Sequence, residues 1–191
     1  MFPFRRKRRL QNRRIAVLVA DGVEQYHMDR PLKALQDANA EVYLIGPKRG
    51  KVRAIKQRKK GDKLPIELAI GDVHPASFDA LLLPGGADAV AVLAFNRQAL
   101  LFIRAMVAGG KLVAAIGHAP RLLAAANAVG GKRVTSWASV QPDLEAAGAK
   151  WANKAVIADG NVLTARHSGE IRKFTKQLLK LVGKQKEKVD A

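Results

Sequence analysis

The chain of 191 residues is long enough for one domain to bury a substantial core without metals or disulfides. It contains no cysteine, which excludes disulfide bonds, thiolate catalysis and cysteine metal sites, and its formal net charge of +18 favours an anionic partner. No apolar run reaches the ~18 residues that a membrane span needs, and the N-terminus lacks the apolar region and cleavage site of a secretory signal, so we expect a cytoplasmic protein.

Short apolar runs bounded by turn residues predict strands, and longer segments with helical periodicity predict helices. In chain order, the predicted strands cover 14–20, 41–46, 64–70, 78–86, 111–117, 134–137, 155–158 and 162–166. Helices are predicted over 28–38, over 96–108 and from Pro120, and a last helix carries Ile171, Phe174, Leu178 and Leu181 on one face. This alternation indicates an α/β fold with a mostly parallel sheet and helices on both faces.

The loops that follow three of these strands are candidate functional segments. In open parallel sheets, binding residues gather at the carboxyl ends of strands, near the point where the strand order reverses. By position these loops are 21–27, 84–88 and 117–120. The same position is favoured in many unrelated proteins, so it locates a site without assigning a function.

Several segments together resemble the ThiJ/PfpI family, within the class I glutamine-amidotransferase-like superfamily. They are RIAVLVADGVEQYHMDRPLKAL, FDALLLPGGADAV, GKLVAAIGHAPRLLAAA, VTSWASVQPDLEAAGAKW and VIADGNVLTAR, which extend over roughly residues 14 to 182 in the family's order. The resemblance implies a flavodoxin-like three-layer sandwich and a homodimer. Family members are described as proteases, glyoxalases or deglycases, chaperones and oxidative-stress proteins.

The resemblance also implies where the family's pocket lies. Family chemistry uses a cysteine followed by histidine at a strand-to-helix turn, and the segment AIGHAP puts Gly117 at the cysteine position and His118 after it. His27 stands where the family has a glutamate that tunes the cysteine, and Gly85-Gly86 resembles its backbone donors for an oxyanion. The remnant pocket is therefore Glu24, His27, Gly85, Gly86, Gly117 and His118. Because glycine offers no nucleophile, we expect the thiol-dependent activity to be absent.

The residues of this pocket leave alternatives open. His118 titrates near neutrality and is a candidate general base, but no partner is identifiable, which favours a residue that packs or hydrogen-bonds beneath the pocket. Glu24, His27 and His118 form a candidate zinc or iron set, although their spacing is only indirect support, so we prefer a pocket without metal or other cofactor. Ser136 and Ser139 are discounted as nucleophiles because no triad is visible.

The positive charge is concentrated in three segments. Residues 1–14 hold seven Arg or Lys and no acid, residues 48–63 hold nine against one acid, and residues 172–191 hold seven against two acids. Such clustering favours nucleic acid or another polyanion, bound mainly through its phosphates. An anionic membrane surface, with Phe2 and Phe4 as anchors, is the main alternative.

Clustered cations from all three segments are the candidate polyanion-binding residues. On the last helix they follow i, i+4 spacing, a self-repelling row that bound phosphates would relieve. The candidates are Arg5, Arg6, Lys7, Arg8, Arg9, Arg13, Arg14, Lys51, Arg53, Lys56, Arg58, Lys59, Lys60, Arg172, Lys176 and Lys180.

The predicted organisation is a basic, disordered extension over 1–13, one domain over 14–183 with a basic insertion at 48–63, and a basic tail over 184–191. The leading hypothesis is a catalytically degenerate scaffold or binding module that engages nucleic acid or another polyanion. One alternative is an enzyme with altered, cysteine-independent chemistry in the old pocket. Another is a structural domain of a larger assembly, because the C-terminal domain of large catalases resembles this family and also lacks the cysteine.

Overall fold

The structure is a computed structural model and describes residues 10–185. The strands are β1 Arg14–Leu18, β2 Glu41–Gly46, β3 Gly50–Lys56, β4 Lys59–Ile66, β5 Leu68–Ala69, β6 Ala80–Leu83, β7 Leu112–Ile116, β8 Arg133–Val134, β9 Lys150–Trp151, β10 Val156–Asp159 and β11 Val162–Ala165. The helices are α1 Tyr26–Asp37, α2 Ala87–Ala94, α3 Arg97–Ala108, α4 Pro120–Ala125, α5 Gln141–Ala146 and α6 Ile171–Lys184.

The central sheet explains why the apolar runs are continuous rather than alternating. Among the described residues it has seven strands in the order β10-β11-β7-β6-β1-β2-β5, parallel throughout except for β10 with β11. Every residue of β6 and β7 is buried, as expected for strands covered on both faces. Helix α1 packs against α6, and α3 packs against α4 and α2. The predicted three-layer α/β sandwich is therefore confirmed.

The strand order reverses between β1 and β6, because the chain builds outward from β1 to β2 on one side and later returns on the other. The loops that leave the carboxyl ends of β1, β6 and β7 therefore meet at this edge of the sheet. These are the three loops that the sequence selects by position.

The basic segment 48–63 forms most of a β-hairpin, β3–β4, where the sequence predicts an inserted loop and a separate strand over 64–70. Its turn residues Gln57 and Arg58 have φ angles of 51° and 63°, the left-handed pair that favours a tight hairpin. Val52 and Ala54 are buried while the charged residues between and beyond them face outward, which is the period-two pattern of a half-buried strand. Only Leu68–Ala69 of the predicted strand joins the central sheet.

The hairpin is fixed to the loop that follows β1. The N–H groups of Gly22 and Gln25 donate to the carbonyls of Arg53 and Ile55, both at 2.8 Å, and the N–H of Ile55 donates to Val23, also at 2.8 Å. The side-chain amide of Gln25 forms two further hydrogen bonds with Asp62. Its nitrogen donates to the carboxylate of Asp62 at 2.6 Å, and its oxygen accepts from the backbone N–H of Asp62 at 3.0 Å. The basic hairpin is therefore a rigid part of this edge of the domain.

The folded domain includes residues that the sequence assigns to the N-terminal extension. Leu10 is 1% exposed, and its N–H donates to the carbonyl of Ala38 at 3.0 Å. Arg13 is also buried, because its guanidinium lies 4.0 Å from the carboxylate of Asp79 and donates to the carbonyl of Gln185. The prediction that Arg13 is part of a disordered basic arm is therefore wrong.

Other differences concern short elements. Helices α2 and α5 were not predicted, because α2 is a brief, alanine-rich segment directly after a turn and α5 has only six residues. The predicted strand over 134–137 is reduced to β8, because the N–H groups of Thr135 and Trp137 donate to the Thr164 hydroxyl and the Gly117 carbonyl instead of continuing the pairing with β9. Within residues 10–185, no single helix is long and apolar enough to cross a membrane; only α2 and α3 taken together, bent by 92°, have the length and composition of a span.

Candidate functional site

A cleft of about 580 Å³ opens where the carboxyl ends of β1, β6 and β7 meet. Of the predicted pocket residues, it is lined by Glu24, His27, Gly86, Gly117 and His118. Gly85 lies directly behind His27, to which its N–H donates a hydrogen bond. The structure thus brings the predicted pocket residues together, and the hairpin adds Ile55 and Arg58 to the same cleft.

Gly117 forms the turn between β7 and α4. Its φ of +70° lies in the left-handed region, which side-chain-bearing residues adopt only with strain. Its N–H donates to the carbonyl of Ala165 at 3.0 Å, and its carbonyl accepts from the N–H of Trp137 at 2.9 Å. A Cβ atom at this position would lie 2.8 Å from Cε1 of His27. The imidazole of His27 therefore fills the space that a side chain at 117 would need.

His27 is held by hydrogen bonds to both ring nitrogens. Nδ1 accepts from the N–H of Gly85 at 3.1 Å, so the ring proton is on Nε2, which donates to Oγ of Ser168 at 3.0 Å. Burial, helped by the nearby His118 and His167, lowers the pKa of His27 from 6.5 to about 4. His27 is therefore neutral at physiological pH and links the start of α1 to the segment before α6.

The candidate metal set does not form. Both nitrogens of His27 are engaged, and within residues 10–185 no group of three or more His, Asp or Glu side chains is placed to hold a metal ion. Glu24 instead accepts from the N–H of Tyr26 at 3.2 Å, in the manner of a local turn. The hypothesis of a metal bound by Glu24, His27 and His118 is therefore not supported by their positions.

An aromatic group forms the other wall of the cleft. Trp137, which is 46% exposed, stacks on His118 with ring centroids 5.7 Å apart and an angle of 26° between the planes. The ring of His167 meets Trp137 edge-on at 5.8 Å. Partial burial and the charge of Arg121 lower the pKa of His118, so its imidazole is neutral near pH 7. Within the described chain, the His118 ring forms no hydrogen bond that would orient it as a base.

Charges of both signs line the cleft. Half-buried Glu24 and exposed Asp88 contribute carboxylates, and Arg58, at the tip of the hairpin, contributes an exposed guanidinium. Next to Arg58, the ammonium group of Lys56 lies 5.5 Å from the ring of Tyr26, the first residue of α1. The cleft therefore combines two carboxylates and the neutral imidazoles of His27 and His118 with a cationic hairpin tip.

The structure places the predicted polyanion-binding residues in three groups. Arg5, Arg6, Lys7, Arg8 and Arg9 lie outside the described residues. Arg13 is buried, Arg14 lies with its guanidinium carbon 5.0 Å from the ring of Tyr43, and Arg53 donates to the carbonyl of Gly61 at 3.0 Å. The predicted residues that are exposed and form no ion pair with another residue in 10–185 are Lys51, Lys56, Arg58, Lys59, Lys60, Arg172, Lys176 and Lys180.

Two elements that carry these exposed cations lie close to the cleft. The hairpin reaches it through Arg58, and helix α6 begins three residues after Ser168, which also lines it. Helices α1 and α6 run parallel, because His27 meets Ser168 at their N-terminal ends and Leu10, bonded to Ala38, lies beside Gly183 at their C-terminal ends. Helix α6, which carries the cationic row, therefore begins near the cleft and runs away from it alongside α1.

Trp137 and His167 line the cleft but were missed as site residues. Trp137 was assigned to the end of a strand, and His167 follows directly on the last strand predicted, over 162–166. His167 follows the carboxyl end of β11, which pairs with β7, so the rule that selected the three loops would also have reached it. Trp137 follows β8, which pairs only with β9 among the described residues, so that rule could not have found it.

The chain belongs to the DJ-1/PfpI family, whose sequence profile matches residues 13–181. It is 34% identical over 169 residues to Deglycase TK1284 of Thermococcus kodakarensis, which covers 88% of this chain and 99% of that protein. It is also 34% identical to Protein/nucleic acid deglycase 2 of Escherichia coli, over 90% of this chain and 99% of that one. The crystal structure of Drosophila melanogaster DJ-1beta superposes with a TM-score of 0.80 at 26% identity, covering 90% of both chains.

Proposed function

We propose that this chain is a DJ-1/PfpI protein without thiol chemistry, which binds nucleic acid through the β3–β4 hairpin and α6. The observation that carries this proposal is the position of the exposed, unpaired cations. Most of those predicted to bind a polyanion lie on two elements, the hairpin, which lines the cleft through Arg58, and α6, which begins three residues after the cleft residue Ser168.

The first half of the proposal concerns lost chemistry. The chain has no cysteine, and in the family pattern its nucleophile position corresponds to Gly117. The ring of His27 takes up the adjacent space, so a side chain at position 117 would have to displace it. Without a nucleophile at this turn, the covalent route that a thiolate would provide is closed.

The second half concerns the charge. In β3–β4 the like charges of Arg53 and Lys63, and of Lys56 and Lys59, stand directly opposite one another. Such pairs destabilise a sheet when no counter-charge is present. A phosphate backbone along the hairpin would relieve this repulsion and would release condensed counterions. The repulsive arrangement is therefore better explained by a bound polyanion than by folding.

The test compares two charge-matched variants in titrations of a fluorescent oligonucleotide at several salt concentrations. The hairpin variant is Lys56→Gln, Arg58→Gln, Lys59→Gln and Lys60→Gln. The control variant removes as many exposed cations elsewhere, at Arg97, Arg133, Lys150 and Lys154, all to Gln. For a single strand, the hairpin variant should reduce the slope of log K against log salt by about 3.

Two results would overturn the proposal. One is binding by the wild-type chain that does not depend on salt concentration. The other is an equal loss of affinity in the control variant, since this would assign binding to net charge rather than to the hairpin. Preference for anionic vesicles over oligonucleotides at equal charge would instead support the membrane alternative. A homodimer stays a prediction from the family resemblance.

A cysteine-independent enzyme is the second candidate, and the neutral imidazole of His118 in the cleft favours it. Two of the relatives named above are called deglycases, one of them a deglycase of protein and nucleic acid. If this chain removes glyoxal-type adducts, His118 would act as the base that activates water. Turnover of such adducts that is lost in His118→Ala, but kept in His74→Ala at an exposed position, would support the enzyme. No turnover above buffer would exclude it.

A further inference from the structure

The exposed face of Trp137 is an unusual feature of the cleft. The indole is 46% exposed even though its backbone is fixed, because its N–H donates to Gly117 at 2.9 Å and its carbonyl accepts from Val140 at 3.0 Å. His118 and His167 contact the ring at 5.7 Å and 5.8 Å and restrict its movement. A large, rigid aromatic ring is thus presented to the cleft without being covered.

The distribution of charge decides which part of a ligand can enter. The carboxylates of Glu24 and Asp88 line the cleft, and the imidazoles of His27 and His118 are neutral, so an anionic group next to these side chains is disfavoured. Arg58 lines the cleft from the hairpin tip and is followed along the chain by the exposed cations Lys59 and Lys60, so an anionic group is favoured on that side. The ligand that fits both conditions has a neutral, planar part and an anionic part attached to it.

We propose that the cleft binds an unpaired nucleobase of a single-stranded nucleic acid, stacked on Trp137, while the adjoining phosphates bind Arg58, Lys59 and Lys60. Every base has an aromatic face, and stacking on protein rings is the usual way in which unpaired bases are held. Exocyclic amino groups of the base would donate hydrogen bonds to the carboxylates of Glu24 and Asp88. A cleft of about 580 Å³ is within the range of small-molecule sites.

This proposal rests on the proposed function, because it places one nucleotide of the bound polyanion. It also predicts the form of the nucleic acid. In a duplex the bases are stacked and paired, and the face that Trp137 needs is not available without extrusion of the nucleotide. The chain should therefore bind a single strand more tightly than a duplex with the same number of phosphates.

The experiment uses the full chain and two probes with identical backbones, a twelve-nucleotide oligodeoxycytidine and an abasic strand of the same length. Dissociation constants are measured by fluorescence anisotropy for the wild type, Trp137→Ala and Trp137→Phe. Because the chain has two tryptophans, the variant Trp151→Phe leaves Trp137 as the only indole, and its fluorescence reports directly on stacking.

In the wild type, the oligodeoxycytidine should bind about 5- to 150-fold more tightly than the abasic strand. Trp137→Ala should lose this advantage while keeping its affinity for the abasic strand, and Trp137→Phe should keep part of it. The fluorescence of Trp137 should be quenched by the oligodeoxycytidine and unchanged by the abasic strand.

The outcomes separate the two proposals. Failure of both probes to bind overturns the proposed function and, with it, the base site. Equal binding of both probes, with no quenching and no effect of Trp137→Ala, overturns only the base site and leaves a backbone-binding surface. Trp137 lies at the surface of the cleft, so circular dichroism is sufficient to verify that Trp137→Ala is folded; if it is not, the quenching of Trp137 in the Trp151→Phe chain decides alone.

Discussion

Gly117 and His27 are coupled at the turn after β7. A side chain at 117 would be strained by the φ of +70° and would also meet Cε1 of His27 at 2.8 Å. Gly110 has the same φ of +70° but nothing within 4 Å of its Cβ direction. The two positions therefore share the backbone strain and differ in the contact, which makes Gly110 a matched control for Gly117.

We expect Gly117→Ala to lower the free energy of unfolding by more than Gly110→Ala, for which the backbone strain alone should give about 1–3 kcal/mol. Adding His27→Ala to Gly117→Ala should recover part of the extra loss, with a coupling of roughly 0.5–3 kcal/mol in a double-mutant cycle. Urea denaturation of the single and double variants measures both quantities. Strictly additive effects would show that the two residues do not compete for space.

The buried His27 also links stability to pH. Its pKa of about 4 in the folded protein is below its ordinary value of 6.5, so the unfolded chain binds more protons between these values. Stability should therefore decrease as the pH falls through that window. Between pH 7 and pH 5, His27 should account for a loss of roughly 2 kcal/mol, and His118, whose pKa is also lowered, acts in the same direction.

Urea denaturation at pH 7 and at pH 5 checks this expectation. His27→Gln should flatten the dependence on pH, because glutamine keeps a hydrogen-bonding group but does not titrate. His74→Gln, at an exposed histidine, should leave the profile of the wild type. If the profile of His27→Gln matches that of the wild type, the pH dependence originates elsewhere.

At the scale of elements, apolar patterning predicts the central sheet because β1, β6 and β7 are buried on both faces and need continuous apolar runs. The β3–β4 hairpin was not predicted from the sequence, for the opposite reason. Charged residues dominate β3–β4, and only Val52, Ala54 and Ile66 turn inward, so its pattern resembles a solvated loop. Its turn, Gln57-Arg58, also lacks the glycine or asparagine that usually marks a left-handed pair.

The candidate site, like the fold, could be predicted from the sequence only in part. Family resemblance brought together the pocket residues from Glu24 to His118, because they lie at strand ends that any parallel sheet gathers. It did not reveal that the ring of His27 takes the space beside Gly117, since this is a contact between distant segments of the chain. Nor did it place Arg58 at the cleft, which depends on how the hairpin docks on the loop after β1.

Substitutions that relieve backbone strain at the hairpin tip should distinguish effects on stability from effects on nucleic-acid binding. Arg58 has a φ of +63° and Gln57 a φ of +51°, conformations that favour glycine. Arg58→Gly and Gln57→Gly should therefore each raise the free energy of unfolding, by up to about 1 kcal/mol. Only Arg58→Gly should weaken nucleic-acid binding, since only it removes a cation. Thermal unfolding and anisotropy titrations test this, and an equal loss of affinity in Gln57→Gly would show that hairpin shape, rather than the charge of Arg58, controls binding.

At the scale of the whole molecule, a net charge of +18 should make stability and binding respond to salt in opposite directions. Added salt screens the repulsion within the hairpin and along α6, which should raise the melting temperature by a few degrees for a gain of about 1 kcal/mol. The surface ion pairs, such as Arg49 with Asp72, oppose this trend only weakly because exposed pairs contribute little. Raising NaCl from about 50 mM to about 200 mM should at the same time weaken nucleic-acid binding steeply.

The variant that removes the hairpin cations should show a smaller effect of salt on both melting temperature and affinity than the wild type. In the charge-matched control at Arg97, Arg133, Lys150 and Lys154, both effects of salt should be reduced less. A melting temperature that falls with salt in the wild type would contradict this account, because it would mean that attractive ion pairs outweigh the clustered repulsion. The combined result is diagnostic, since a surface selected only for solubility has no reason to concentrate its self-repulsion on the hairpin and α6.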